Sequence, residues 1–261
     1  MAVSKSLDLP FGYQTFDKDW FKEGKVNDFG VTLNGYLSEQ NLKQSALTYL
    51  YTHHEIFYEE GIIKHTRSSP NWEGGMFTYA TCKHRMRSYS RPEGWTGAWL
   101  AGLCPGHCES NTLLFVGRIA RQFPSNYHLR QYVMKESREL YKIKMAVSNP
   151  RGDLYTPIDT LKIPEFWDHK NYYEPRNHTR SLEFYKSSPG SVSDREDGKI
   201  PKWWRDTEYY SHEIHPPVFI LDPVWVFSRP LYWTTFKPGR AVLKLTLGEL
   251  LGSLVSTPQT R

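Results

Sequence analysis

Hydrophobic and polar positions change their rhythm several times along this chain. After Ser38, the residues Leu42, Ala46, Tyr49, Leu50, His53 and Phe57 recur at helical spacing, which predicts a helix running to about Glu60 and ended by Gly61. Before it, residues 1–36 show no long period and read as an extended lead packed through Phe11, Phe16, Trp20 and Phe21. From 62 to 121 the pattern becomes strand-like. Met76 to Arg87, Ala98 to Leu103 and Thr112 to Gln122 are extended segments set apart by turn clusters. Ser125 then heads a second helix whose shared face carries Leu129, Tyr132, Val133, Glu136 and Leu140.

The second half is more broken. Pro150, Pro157, Pro164 and Pro175 interrupt residues 148–182, and 186–202 is an exposed loop by composition. Pro216 and Pro217 precede an apolar stretch over 218–227 that surrounds Asp222. Ala241 to Leu245 suits a strand, and Thr246 with Glu249 forms a capping box for a short last helix. The mixed order lacks a regular βαβ rhythm, so the expected class is α+β: a small, strongly bent sheet or open β-barrel flanked by helices. No linker divides the chain. It reads as a single domain over 1–261, in which 1–61 form an N-terminal extension and helix.

Composition adds limits rather than a function. Aromatic residues make up 15% and hydrophobic residues 39% of the 261 residues, which suits a folded chain with a real core. A net charge of +5 and a pI near 8.9 permit an anionic partner without requiring one. The N-terminus has no apolar segment of a signal peptide, and the most apolar stretch is too short to cross a membrane. With three cysteines, an odd count, a reducing cytoplasmic location and no membrane partner are expected.

Candidate chemistry concentrates between Lys64 and Arg118. Cys82 reads first as a buried strand cysteine, and as a nucleophile candidate beside Lys83, Arg85 and Arg87. In a strand, Lys83, Arg85 and Arg87 share one face, where they hold phosphate or form a solvated edge. Trp99 offers a stacking wall or core packing. Cys104, His107 and Cys108, even with Cys82, fall short of a paired zinc ligand set, so neither metal nor cofactor is expected. Farther on, Arg151, Asp153 and Tyr155 place a cation, a carboxylate and a phenol in one Pro-bounded loop. Phosphate-loop, dinucleotide-binding, zinc-protease and serine-hydrolase motifs are all missing.

Over about 62–245 the order of short motifs resembles the nucleotide modification-associated domain proteins, which accompany DNA-base hypermodification genes in phages and bacteria. The resemblance lies in Lys64-His65-Thr66, Ser69-Pro70-Asn71, Gly75, Ala80-Thr81-Cys82-Lys83 and Met86-Arg87. It continues through Gly97-Ala98-Trp99-Leu100-Ala101-Gly102, Leu114 to Ile119, Arg151-Gly152-Asp153-Leu154-Tyr155, Val218 to Leu221 with Phe227, and Gly239-Arg240. Ala98 stands where the family has an acid, His84 where it has a proline, and the histidine after Arg240 is missing. The strand–turn–strand pattern is also similar to PUA, ASCH and EVE barrels, which hold RNA or modified bases; that likeness bears on fold and licenses no reaction.

The resemblance implies recognition of a nucleotide or nucleobase linked to nucleic-acid modification. Asn71, Lys83, Arg85, Arg87, Trp99, Arg151 and Arg240 would bind the ligand, and Cys82, Asp153 and Tyr155 would supply any catalysis. Two alternatives stand beside it: a small-metabolite enzyme using Cys82 or Asp153 with Tyr155, and a nucleic-acid-binding module without chemistry. Substrate and oligomeric state are not specified by the sequence.

Overall fold

The computed structural model describes residues 26–53, 56–59, 62–65, 69–81, 84–89, 91–104, 112–149, 152–159, 171–173, 216–226, 233–234 and 242–255. The aromatic lead of 1–25, the loop 186–202, and the cysteines Cys82 and Cys108 lie outside them. The elements are those of an α+β protein. Its main sheet is open and mixed, with six strands in the order β4-β7-β6-β5-β1-β9. These are β1 (Leu47–Thr52), β4 (Phe77–Tyr79), β5 (Trp99–Leu103), β6 (Leu113–Phe123), β7 (Val218–Val226) and β9 (Leu243–Thr246). Two small pairs accompany it: β2 (Ile56–Glu59) with β3 (Ile62–His65), and β8 (Trp233–Thr234) with β10 (Leu254–Val255). The described helices are α1 (Val26–Glu39), α2 (His84–Arg87), α3 (Asn126–Glu136), α4 (Arg138–Lys144) and α5 (Leu247–Gly252). None of them is long and apolar enough to cross a membrane.

The chain gathers into two compact units, each assembled from three stretches. Pro10–Thr66, Trp95–Ala120 and Leu221–Arg261 make one. Its centre is β1, parallel to β5 and antiparallel to β9, with β6 antiparallel on the far side of β5. Thr48, Tyr49, Leu50 and Tyr51 are all buried, so β1 is covered on both faces. A strand covered in this way does not alternate apolar and polar positions. That is why a helix over 42–60 was expected where a strand stands: the period was lost, while the Thr and Tyr content still favoured extension. The helix lies earlier, at α1, in a segment read as extended. Leu33 and Leu37 enter the core from it, with Tyr36 edge-on to Trp99 and Trp225. Gly30 and Gly35 hid this helix, since glycine is a poor helix former.

Trp99 and Trp225 stack with ring centroids 6.2 Å apart, among Leu50, Leu103, Val116 and Leu250. Gly117 lets strands come close: a Cβ there would lie 2.9 Å from side-chain atoms of Leu221 and Val224. The last helix carries the expected capping box. Thr246 Oγ accepts from the Glu249 N–H at 3.1 Å, and a Glu249 carboxylate oxygen accepts from the Thr246 N–H at 2.6 Å.

Met1–Leu9, Arg67–Gly94 and Arg121–Ile220 make the other unit. Here the extended reading of 76–87 holds only for β4; His84–Arg87 is a turn of helix. The segment His-Arg-Met-Arg has no β-branched residue to favour a strand. Arg85 and Arg87 therefore do not share a strand face. The second helix begins at the expected Ser125, then breaks at Ser137, whose side chain accepts from Leu140 N at 3.1 Å and starts α4.

Candidate functional site

The second unit holds a buried polar cluster built around the last residue of α4. Leu140, Tyr141 and Lys144 occupy one face of that helix, and all three are buried. Lys144 therefore delivers an ammonium group to the interior. A short antiparallel bridge receives it: Asn71 N donates to Thr78 O at 2.9 Å, and Thr78 N donates to Asn71 O at 2.8 Å. Lys144 Nζ donates to Asn71 Oδ1 at 2.9 Å, to Asn71 O at 3.2 Å and to Thr78 Oγ1 at 2.8 Å. An ammonium has three donors, and these three bonds use them.

Asn71 is itself oriented from behind. Its Oδ1 also accepts from the Glu73 backbone N–H at 2.9 Å, at the start of the short Glu73–Gly75 helical turn. Gly74 there has φ +72°, and its bare Cα faces Leu140 of α4. The Asn149 amide donates to Glu73 Oε2 and to Ile143 O, tying this turn to the end of α4.

Asp153 reaches the cluster through backbone pairing. After α4 the chain turns through Asn149 and comes back, so that Leu154 N donates to Lys144 O at 3.0 Å and Ala146 N donates to Leu154 O at 2.9 Å. Gly152 makes the return possible: a Cβ on it would lie 2.6 Å from the Met145 carbonyl and 2.7 Å from Lys144 O. Asn126, the first residue of α3, clamps the segment. Its amide donates to Asp153 O at 2.6 Å and accepts from Tyr155 N at 2.9 Å.

Asp153 is fully buried, and neither carboxylate oxygen makes a hydrogen bond of standard geometry. Desolvation pushes its pKa up to about 6, while the attraction of Lys144 and the nearby Thr78 hydroxyl hold it back. Desolvation lowers Lys144 to about 8, opposed by Asp153 and then by Glu73. A cation and an anion thus attract each other inside the unit, the three donors of the cation all used.

The other sequence candidates are placed as follows. Asn71 and Asp153 belong to the cluster, and Tyr155 is buried beside it in sequence with its backbone held by Asn126. Arg87 is buried and donates to Pro216 O at 3.1 Å and Pro217 O at 2.7 Å, so its guanidinium braces the entry to β7. Trp99 is a core residue of the other unit, stacked on Trp225. Arg85 lies in α2. Cys82, Lys83, Arg151 and Arg240 lie outside the described residues. Cys104 is buried, and no group of three or more His, Cys, Asp or Glu able to hold a metal occurs among the described residues.

The sequence reading missed Lys144, Thr78, Asn126 and Glu73. One signal for Lys144 was available, because it continues the apolar stripe of Leu140 and Tyr141 where a lysine has no reason to sit without partners. Comparison of the chain with family models, curated proteins and solved structures finds no match in any of the three.

Proposed function

We propose that this protein binds a nucleobase or nucleotide, in a role linked to nucleic-acid modification, through the cluster of Asn71, Lys144 and Asp153. One observation supports this best. Asn71 and Asp153, which belong to two separate motifs carrying the resemblance to the nucleotide modification-associated proteins, meet at Lys144, 73 residues from Asn71 in sequence. Convergence of an amide, a carboxylate and a cation is the usual polar content of a small-ligand site. A PUA-like arrangement of the open sheet belongs to the same proposal.

Native purification followed by denaturation and mass spectrometry tests the reading. The expected result is a retained compound containing a nucleobase, or failing that, measurable binding of at least one nucleoside to the purified chain. Neither retention nor binding of any nucleoside would overturn it.

The enzyme reading keeps one specific observation in its favour: a carboxylate titrating at about 6 suits a general base near neutral pH. Under that reading Asp153 removes a proton from the bound ligand. Turnover of the retained compound, lost in Asp153→Asn, separates an enzyme from a reader.

A further inference from the structure

We propose that Arg130 and Tyr141 hold a phosphate group, at a site of the second unit separate from the Lys144–Asp153 pair. The proposal does not rest on the nucleobase reading above. Arg130 lies on the buried face of α3 with Asn126, Leu129 and Val133, and is only 4% exposed. An arginine stays charged at any pH a folded protein meets, and its guanidinium carries five N–H donors. One of them is used: Nε donates to the Tyr141 hydroxyl at 3.1 Å. The Arg130 Cζ lies 5.2 Å from the centre of the Tyr141 ring, which adds cation–π attraction but no counter-charge.

Among the described residues no carboxylate pairs with this guanidinium. Glu139 of α4 pairs with Lys142 at 3.4 Å, Glu136 of α3 lies beside Tyr132, and Asp153 draws on Lys144. A buried cation without an anion is costly. Its open donors also have an outlet. The two terminal nitrogens of Arg130 donate to no described group, yet neither is fully enclosed, so the small exposure of the residue includes both. In this Arg130 differs from Asp153, whose carboxylate oxygens are sealed.

Phenols extend the donor set. The Tyr141 oxygen accepts from Nε, which leaves its hydrogen to donate to an anion. Tyr172 is a buried electrostatic neighbour: burial raises its pKa, Arg130 draws it down and Tyr127 pushes it up again. A phenol held above its ordinary value keeps its proton at neutral pH and remains a donor. A carboxylate fills a guanidinium fork with its two oxygens. Phosphate fills the fork and keeps further oxygens for a phenol, so it matches the mixed donors better. Arg130 stands one helical turn from Asn126 on the same face of α3, and Tyr141 one turn before Lys144 on α4, so the phosphate would lie near the Asn126 clamp.

Calorimetric titration of the full chain at neutral pH and constant ionic strength tests this, with sodium phosphate, sodium acetate, and ribonucleoside monophosphates beside their nucleosides. Phosphate is expected to bind with a Kd of about 1 mM or tighter, and acetate at least about tenfold more weakly. Arg130→Lys keeps the charge and removes the fork, and Tyr141→Phe keeps the ring and removes the hydroxyl. With folding checked by circular dichroism, phosphate affinity should fall at least about tenfold in the first and about threefold in the second. If Arg130→Lys does not fold, Tyr141→Phe and the titrations of the natural chain decide. No gain in affinity from phosphate, whether free or on a nucleoside, would overturn the proposal. Acetate binding as tightly as phosphate, or phosphate affinity unchanged in either folded variant, would overturn it too. A monophosphate bound more tightly than both phosphate and its own nucleoside supports this site and the proposed function together. Monophosphates bound no more tightly than inorganic phosphate support the phosphate site and count against the nucleobase reading.

Discussion

Lys144 and Asp153 are the least comfortable residues of the described structure, because each is a charge held wholly inside the protein. Their effect on stability has a definite sign. Asp153 titrates higher in the folded chain, at about 6 against an ordinary 3.8. The stability linked to its proton is therefore fully present below the ordinary value and is lost as pH rises through about 6. Lys144 titrates lower, at about 8 against 10.5. The stability linked to its neutral form is present above the ordinary value and is lost as pH falls through about 8. The pair thus contributes least between about 6 and 8. Urea unfolding across pH should show Asp153→Asn losing the decline between 3.8 and 6 that the natural chain shows. An identical pH profile in the two proteins would contradict the assignment. Asn126 supplies a second residue-scale test. Asn126→Ala removes both bonds of a buried clamp, the one to the Asp153 carbonyl and the one from the Tyr155 N–H. A loss of about 2–6 kcal/mol in unfolding free energy is expected, from about 1–3 kcal/mol for each of the two buried groups that loses this partner. These residues show what single-residue reading misses. Asn71 and Asp153 stood out by chemical type, whereas Lys144 and Asn126 matter through partners far away in sequence.

At the scale of elements, segments whose signal is local were legible. The capping box of Thr246 and Glu249 stands as the sequence implies, since every group in it lies within one helical turn. Thr246→Ala should cost about 1 kcal/mol, read as a shift in the urea midpoint at constant slope, and no shift would deny the cap a role. Strands β5, β6 and β7 were also legible as apolar runs bounded by turns. Failures came where tertiary burial overrides local pattern. Strand β1 is buried on both faces and lost its alternation, and α1 carries two glycines, of which Gly35 has open space around it: a Cβ there would meet nothing within 4 Å. The helix of Asn126 to Lys144 is broken at Ser137, a residue able to cap but not required to.

At the scale of the whole molecule, the order of the chain and the order of its units do not coincide. Each unit is drawn from three stretches, so the polypeptide passes from one to the other repeatedly before either is complete. Strand β5 shows the consequence. It follows a stretch of the other unit, yet its parallel partner β1 lies before residue 67 and pairs with it from Thr48↔Trp99 to Thr52↔Leu103. Parallel pairing between segments this far apart closes a long loop, and such contacts form late and reward folding only once the loop is closed. A fragment of residues 67–220 would keep the whole Asn71–Lys144–Asp153 cluster and β5, but would lack β1, β9 and Trp225. Leu50, Trp225 and Leu245 share one core cluster with Trp99, Ala101 and Leu103, and Trp225 stacks on Trp99. Without them, buried apolar strand surface and an unpaired edge would face water. We expect that fragment to be insoluble or to lack a cooperative unfolding transition, while the full chain unfolds cooperatively. Circular dichroism melts and sedimentation of the two proteins decide the point. A monomeric fragment with a sharp transition would show that the cluster's unit needs nothing from the rest of the chain.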